Sequence, residues 1–300
     1  MIPINDYLGG VLEGFQAYLR EGHQLCDLKA LNYDQGQVPN YEDLHVQQYY
    51  LLRYAYGYAF EYKGMFGVLL ERGAFDETIS VTSIGCGAAL DYWSLVRMVE
   101  QRNQAHVSVQ YTGIDLVSWN YRFQTRGCDR VAFYTGDAAQ TLAKNVRLES
   151  DVYVFPKSIS EFSDNDFQRL CGVFQTAPIL KDAFHILASI RTDENSQERD
   201  FQRIRQLRCA IVENGFQADD SRDKLYIAQE PEKKIRQTDS DFKHPSDVVD
   251  CLRKHNTCCS HIQNGQGNCQ PDCRERLIRW PILKQEQVCF GILTFERKRS

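Results

Sequence analysis

An apolar, β-branched run begins at Thr78, enters a turn that contains Gly85 and Gly87, and continues into an apolar helical pattern that reaches residue 99. A strand, a tight turn and a helix in this order predict an α/β sheet, because glycines permit the close turn. Backbone amides at such a helix start can face a ligand, as they do in nucleotide-binding sheets. Two spaced glycines also occur in turns that bind nothing, so the downstream residues must decide.

Three further apolar runs follow this turn, and two of them end in an acid. The run at residues 107–116 contains Asp115, a third run ends at Asp137, and a fourth covers residues 151–160. In a doubly wound sheet, the carboxyl ends of parallel strands meet at one edge, and an acid after the second strand accepts hydrogen bonds from a ribose. The spacing therefore predicts a ligand site at this edge.

The glycine turn, Asp115, the Gly-Asp-Ala sequence at Asp137 and the Ser-Ile-Ser-Glu-Phe sequence at 158–162 resemble those of class I S-adenosylmethionine (SAM)-dependent methyltransferases. The resemblance covers residues 78–230 and a last strand at 287–296. It implies an α/β fold with a doubly wound, seven-stranded sheet and SAM as cofactor. The chain departs from the family at Ser83, where an acid is usual, and at Ala89, where a third glycine is frequent.

The resemblance also implies which residues form the site. Asp115 would accept from the ribose hydroxyls and Asp137 would lie near the adenine, and the full set of implied cofactor contacts is Ser83, Gly85, Cys86, Gly87, Ala88, Asp115, Asp137 and Phe155. This family places groups near the transferred methyl after the fourth strand, which implies Lys157, Ser158 and Glu161 as catalytic candidates. Ser158 and Glu161 also have the spacing of a helix capping box, and this alternative stays open.

The later segments predict a helix at 164–175, a strand at 183–190, a long helix at 197–214 that stops at Gly215, and strands at 223–230 and 287–296. The last two strands pair as an antiparallel hairpin in this family. Hairpin loops have about 2 to 5 residues, so the segment between them is predicted to be an inserted module. The predicted domains are a helical extension at 1–75, a sheet domain at 76–230, the module at 231–286 and the last strand at 287–300.

The predicted module is rich in cysteine and histidine and poor in apolar residues. A metal ion would stabilise such a segment without a hydrophobic core, and zinc takes four Cys or His ligands in a structural site. The preferred ligands are Cys251, Cys258, Cys269 and Cys273, with Cys259, His255 and His261 as alternates. The spacing is not that of paired CxxC knuckles, and free thiols, disulfides and an iron–sulfur cluster remain alternatives.

The segment before the sheet predicts helices with aromatic residues at steps of three and four. Tyr50, Tyr54, Tyr58 and Tyr62 fall along one stripe. A stripe of this kind packs a helix on the sheet, or it forms a wall or lid beside a pocket, because buried tyrosine hydroxyls need partners.

Composition limits the cellular locations and the binding partners that are expected for this chain. The 11 cysteines are an odd number and no secretory signal is visible, which predicts a reducing, cytoplasmic location. No apolar stretch is long enough for a membrane span, and the net charge of −5 argues against a broad nucleic-acid surface. A local basic flank at 274–284 could bind nucleic acid or be solvated, and it contains Arg274, Arg276, Arg279, Trp280 and Lys284.

Two classes of function are consistent with these patterns. The first is an active methyltransferase whose acceptor is RNA, a protein or a small molecule, and the second is a non-catalytic binding or scaffold protein that kept the fold. A nucleotide-dependent Rossmann oxidoreductase is a third alternative, because it also needs glycines and a distal acid. The missing proline-rich tetrapeptide after the fourth strand disfavours methylation of exocyclic base nitrogens.

Overall fold

The computed structural model describes residues 3–21, 40–72, 75, 77–102, 104, 106–144, 147–192, 194–220, 223–227 and 288–298. Two long helices precede the sheet, α1 (Ile4–Arg20) and α2 (Leu44–Glu71). The side chain of Asp43 starts α2 by accepting hydrogen bonds from the amides of His45 and Val46, as an N-cap residue does. The predicted helical character of the N-terminal segment is confirmed over these two ranges.

Strands and helices alternate through the middle of the chain. They are β1 (Thr78–Ile84), α3 (Leu90–Gln101), β2 (Ser108–Asp115), β3 (Arg130–Thr135), α4 (Ala138–Lys144), β4 (Val152–Pro156), a 3₁₀ turn (Ile159–Glu161), α5 (Asp164–Thr176), β5 (Ala183–Ser189), α6 (Glu194–Glu213), β6 (Phe216–Ala218), β7 (Lys224–Ile227) and β8 (Cys289–Arg297). Hydrogen-bonded neighbours run in the order β3-β2-β1-β4-β5-β8-β6, with β7 also paired to β8. The strands β1 to β5 are parallel, and β8 is antiparallel to β5.

The far edge of the sheet differs from the sequence prediction in one detail. The strand predicted at 223–230 is described only at Lys224–Ile227, and the strand β6 precedes it at Phe216–Ala218. Both pair antiparallel with β8, β6 opposite residues 295–297 and β7 opposite residues 289–292. The two strands therefore share one sheet position, and the described sheet has the seven positions that the sequence predicted. The predicted insertion at 231–286 lies outside the described residues.

The two faces of the sheet carry different helices. Alternate residues of a strand point to opposite faces. Val152 and Val154 accordingly join a core with α1, α2 and α3, whereas Tyr153 and Phe155 join a second core with α4, α5 and α6. The N-terminal helices thus share one continuous core with the sheet. In the described part of the chain, no helix is both long enough and apolar enough to cross a membrane.

The connection between β2 and β3 contains no helix over residues 116–129, where a doubly wound fold usually has one. The first helix covers this segment instead. The ring of Tyr7 stacks on Phe123 with centroids 3.8 Å apart, and its hydroxyl donates to the carbonyl of Tyr121 at 3.0 Å. The N-terminal helices therefore help to fix the segment that follows Asp115.

Candidate functional site

A cavity of about 280 Å³ opens at the carboxyl ends of β1 to β4. Two lining segments are short stretches of loop, residues 40–42 before α2 and residues 116–117 after β2. The described lining residues are Asn40, Tyr41, Glu42, Gly85, Ile114, Asp115, Leu116, Val117, Gly136, Asp137, Ala138, Ser158, Glu161, Phe162, Ser163 and Asp166. This is the edge at which open α/β sheets bind ligands.

Asp115 joins the glycine turn to the segment after β2. Its carboxylate accepts a hydrogen bond from the amide of Gly87 at 2.8 Å and another from the amide of Val117 at 3.0 Å. Burial raises the pKa of Asp115, and the two amides oppose the rise. Each carboxylate oxygen can accept a second hydrogen bond. The carboxylate is therefore fixed at the cavity wall with acceptor capacity left for a ligand.

The glycine turn brings β1 close to the segment after β4. Gly85 has a φ of +75°, and a Cβ placed on it would lie 2.4 Å from Cβ of Ser158. Gly87 and Ala89 also have positive φ values, and Ala89 immediately precedes α3. Only a residue without a side chain fits between this turn and Ser158, so the contact explains why glycine stands at position 85.

The first turn of α3 contains a buried acid, Asp91. Its side chain is fully buried and accepts from the hydroxyl of Tyr111 at 2.9 Å. Burial raises its pKa to about 6, and hydrogen bonding to the carboxylate opposes the rise. A carboxylate at a helix N-terminus takes the place that an anionic ligand would occupy. Asp91 is not among the described lining residues, so this acid lies at the helix start and outside the cavity lining.

The structure brings some of the predicted cofactor contacts together at the cavity and places others elsewhere. Gly85, Asp115 and Asp137 line it. Asp137 also accepts from the amide of Gln140 at the start of α4 and pairs with Arg169 at 2.8 Å. The remaining predicted contacts are not among the described lining residues, namely Ser83, Cys86, Gly87, Ala88 and Phe155. Ser83 and Phe155 have fully buried side chains, and Gly87 acts through its amide on Asp115.

The capping-box interpretation of Ser158 and Glu161 is wrong. The hydroxyl of Ser158 donates to the carbonyl of Ile84 at the end of β1, and it caps no helix. Glu161 pairs with Arg191, which follows β5. The helix that follows is capped by Ser163, which accepts from the amide of Asp166. Long-range partners therefore outcompete the local bonds that the spacing allows, and both Ser158 and Glu161 line the cavity.

Glu161 is the catalytic candidate with the most perturbed titration. Burial raises its pKa to about 7, and the guanidinium of Arg191 opposes the rise. The backbone amide of Arg191 also donates to Asp200, so the pair is held from α6 as well. A carboxyl group that titrates near neutral pH can take up or release a proton under working conditions.

Lys157 has a structural environment. Its ammonium pairs with the buried carboxylate of Glu61 on α2 at 3.0 Å and donates to the carbonyl of Ile190, and the hydroxyl of Ser189 donates to the same glutamate. Burial raises the pKa of Glu61, which Lys157 opposes. Lys157 also has a φ of +60°, a conformation that persists in a non-glycine residue only where the surroundings enforce it. Lys157 is not among the described lining residues, so its contacts hold the turn that leads to Ser158 and Glu161.

Five of the described lining residues are acidic and none is a lysine or arginine: the acids are Glu42, Asp115, Asp137, Glu161 and Asp166. Three of these acids pair with arginines that are not among the described lining residues: Glu161 with Arg191, and both Asp137 and Asp166 with Arg169. A cavity lined this way attracts a cation and repels a phosphate.

The tyrosine stripe of α2 stands behind the cavity wall. No residue of α2 is among the described lining residues, whereas Tyr41 just before it is. Tyr50 packs against Tyr41 and Trp119 with ring centroids 5.3 Å and 5.5 Å away, and Tyr54 stacks on Tyr58 at 5.3 Å. The stripe therefore packs α2 on the segments that form the wall.

The predicted metal ligands and the basic flank at 274–284 lie outside the described residues. Within the residues that are described, no three His, Cys, Asp or Glu side chains form a group that could hold a metal ion. The zinc site and the nucleic-acid partner remain predictions from the sequence.

No protein-family model matches the chain, and no curated protein matches it. Solved structures do show similarity. The plantazolicin methyltransferase BpumL in complex with SAH is 11% identical, with a TM-score of 0.44 over 95% of this chain and 99% of that one. YjhP from E. coli is 14% identical, with a TM-score of 0.40 over 78% and 92% of the two chains. A SAM-dependent methyltransferase from Archaeoglobus fulgidus is 13% identical, with a TM-score of 0.39 over 78% and 94%.

These similarities are low, and the fold is assigned from the strand order and the antiparallel β8 described above. The described part of the chain has the class I methyltransferase-like fold that the sequence predicted.

We predict that Gly85→Ala lowers the free energy of unfolding by about 1–3 kcal/mol, because the new methyl group meets Ser158 and alanine disfavours a φ of +75°. Gly172→Ala in α5 is the matched control, since a Cβ there meets nothing within 4 Å. Urea denaturation followed by circular dichroism measures both variants. Equal stability of the two variants would contradict the assigned contact.

We predict that Lys157→Met destabilises the protein by about 3–5 kcal/mol, because it leaves the carboxylate of Glu61 buried without its cation. The double variant Glu61→Gln with Lys157→Met removes both charges and is expected to recover a large part of the loss. Urea denaturation of the single and double variants measures this coupling. A double variant no more stable than Lys157→Met would show that the pair is not the cause.

Proposed function

We propose that this chain binds SAM in the cavity at the carboxyl ends of β1 to β4 and transfers its methyl group to an acceptor. The observation that carries the proposal is the set of five carboxylates, with no lysine or arginine, among the described lining residues. A sulfonium is a cation and suits such a lining, whereas a pyrophosphate does not. Asp91 supports the same choice, because a buried acid in the first turn of α3 disfavours a phosphate at this helix start.

The residues present fit this cofactor. The backbone at Gly85 offers a side-chain-free surface at the end of β1, and Asp115 holds a fixed carboxylate suited to a pair of ribose hydroxyls. Asp137 lies on the neighbouring strand end, where we place the adenine. When bound, SAM supplies a methyl group that its sulfonium already activates. The chain therefore has to align the acceptor and, for an acceptor with an N–H or O–H group, remove a proton.

Glu161 is the residue that we propose removes this proton. It lines the cavity next to the segment of Ser158, and Arg191 holds its carboxylate from one side. The resulting pKa of about 7 keeps a large fraction of Glu161 ionised at neutral pH while leaving it a better base than an ordinary carboxylate. Lys157 and Ser158 then act by fixing the turn that carries Glu161. The acceptor is an RNA, a protein or a small molecule.

We expect calorimetric titration to show binding of SAM and of S-adenosylhomocysteine, and no binding of NADH. Asp115→Asn should weaken the binding of S-adenosylhomocysteine by about 1–3 kcal/mol, because a buried acceptor is lost. Asp164→Asn is the control, since this exposed acid of α5 is not among the described lining residues and should leave the affinity unchanged. Failure of the wild-type protein to bind either compound would refute the proposal. Wild-type affinity in Asp115→Asn would remove Asp115 from the site.

We expect infrared spectroscopy to detect a protonated carboxyl group that ionises as the pH rises through about 7, and this signal should be missing from Glu161→Gln. The direction follows from burial, which favours the neutral form of a carboxyl group and raises its pKa. A protonated-carboxyl signal of Glu161 that is already lost when the pH rises through about 4 to 5, the ordinary range of a glutamate pKa, would rule it out as the proton acceptor. A scaffold protein that binds SAM without transfer would keep the binding and show no methylated product with any acceptor.

A further inference from the structure

The side chain of Gln47, in the first turns of α2, is completely buried and uses its full hydrogen-bonding capacity. Its Nε2 donates to the carbonyl of Tyr41 at 2.7 Å and to the carbonyl of Ser118 at 2.9 Å. Its Oε1 accepts from the backbone amide of Asn120 at 2.9 Å and from the side-chain amide of the same residue at 3.3 Å. A primary amide has two donors and two acceptor positions, and all four are occupied here.

Tyr41 belongs to one wall of the cavity, and Ser118 and Asn120 directly follow the residues that form another wall. Residues 40–42 line it just before α2, and Leu116 and Val117 line it just after β2. Neither wall segment is a helix or a strand, so few regular backbone hydrogen bonds fix its position. One amide group therefore connects two irregular walls that are distant in sequence.

We propose that Gln47 is a positioning residue that sets the separation of these two walls, so that cofactor binding depends on α2 although no described lining residue belongs to it. This inference rests on the proposed SAM site. Loss of the amide would release the carbonyls of Tyr41 and Ser118 together and leave the walls joined by the ring contact of Tyr41 with Trp119, whose centroids are 5.3 Å apart. The contacts of Asp115 with Gly87 and Val117 fix only the start of the second wall, and Gln47 fixes it at residues 118 and 120.

The neighbouring Gln48 offers a matched control. It is also a buried glutamine, 1% exposed, and its amide contacts the hydroxyl of Tyr121 at 2.6 Å and the ring of His45 at 3.0 Å. It makes no described hydrogen bond with the backbone of either wall. Substitution of the two glutamines thus removes equal numbers of side-chain atoms from the same helix turn, but only substitution of Gln47 removes hydrogen bonds to the backbone of residues 41, 118 and 120.

The test compares Gln47→Met with Gln48→Met, since methionine is close to glutamine in shape and is a good helix former. Affinity for S-adenosylhomocysteine is measured by calorimetry, thermal unfolding by circular dichroism, and exchange of the Asn120 amide by NMR. We expect both variants to be less stable than the wild-type protein. Only Gln47→Met should lower the affinity for S-adenosylhomocysteine, by about tenfold or more, in line with loss of a buried hydrogen-bond network. The Asn120 amide should exchange faster in Gln47→Met alone.

Wild-type affinity in Gln47→Met overturns the inference, and so does equal weakening by the two variants, because either result makes Gln47 an ordinary core residue. If Gln47→Met does not fold, Gln47→Glu replaces it, since the carboxyl side chain keeps an acceptor for Asn120 and loses the two donors. If the wild-type protein binds no S-adenosylhomocysteine, the proposed function fails by itself. The exchange of the Asn120 amide then still decides whether Gln47 holds the wall.

Discussion

The carboxylate of Asp115 is the contact on which the candidate site depends. It accepts one hydrogen bond from an amide of the glycine turn and one from an amide of the segment after β2. Two loops that follow different strands therefore share a single fixed acceptor. The glycine turn also approaches the segment after β4 so closely that only glycine fits at position 85. The ends of β1, β2 and β4 are therefore held in one geometry before any ligand binds, and preorganisation of this kind lowers the entropic cost of binding.

Helix α2 supports this edge from outside, with different chemistry at its two ends. Near its start, Gln47 joins the two irregular walls through neutral hydrogen bonds. Farther along, Glu61 forms a buried ion pair with Lys157 at the turn after β4. Desolvation offsets much of the favourable energy of a buried ion pair, whereas removal of one partner is strongly destabilising. Such a pair therefore fixes a conformation more than it adds stability. The positive φ of Lys157 is consistent with this role.

Patterns that are local in sequence predicted most of the fold. The glycine turn, the alternating runs and the acids at strand ends placed Asp115 and Asp137 at the cavity, because parallel strands put their carboxyl ends at one edge. Partners distant in sequence could not be predicted from a single chain. The spacing of Ser158 and Glu161 allows a capping box, for example, but the structure pairs Glu161 with Arg191, which is distant in sequence. Lys157 was a catalytic candidate because the resemblance implies functional groups after the fourth strand, and its pairing with Glu61 on α2 could not be predicted. The buried amide of Gln47 left no signal beyond a polar residue within a helical pattern.

The central claim is that SAM binds at this edge of the sheet, and hydrogen exchange in the presence and absence of saturating S-adenosylhomocysteine locates binding most directly. The account predicts added protection at residues 85–88, 115–120 and 158–161, because a ligand in the cavity stabilises the loops that line it. Calorimetric binding accompanied by protection only in other segments would place the ligand elsewhere and contradict the account.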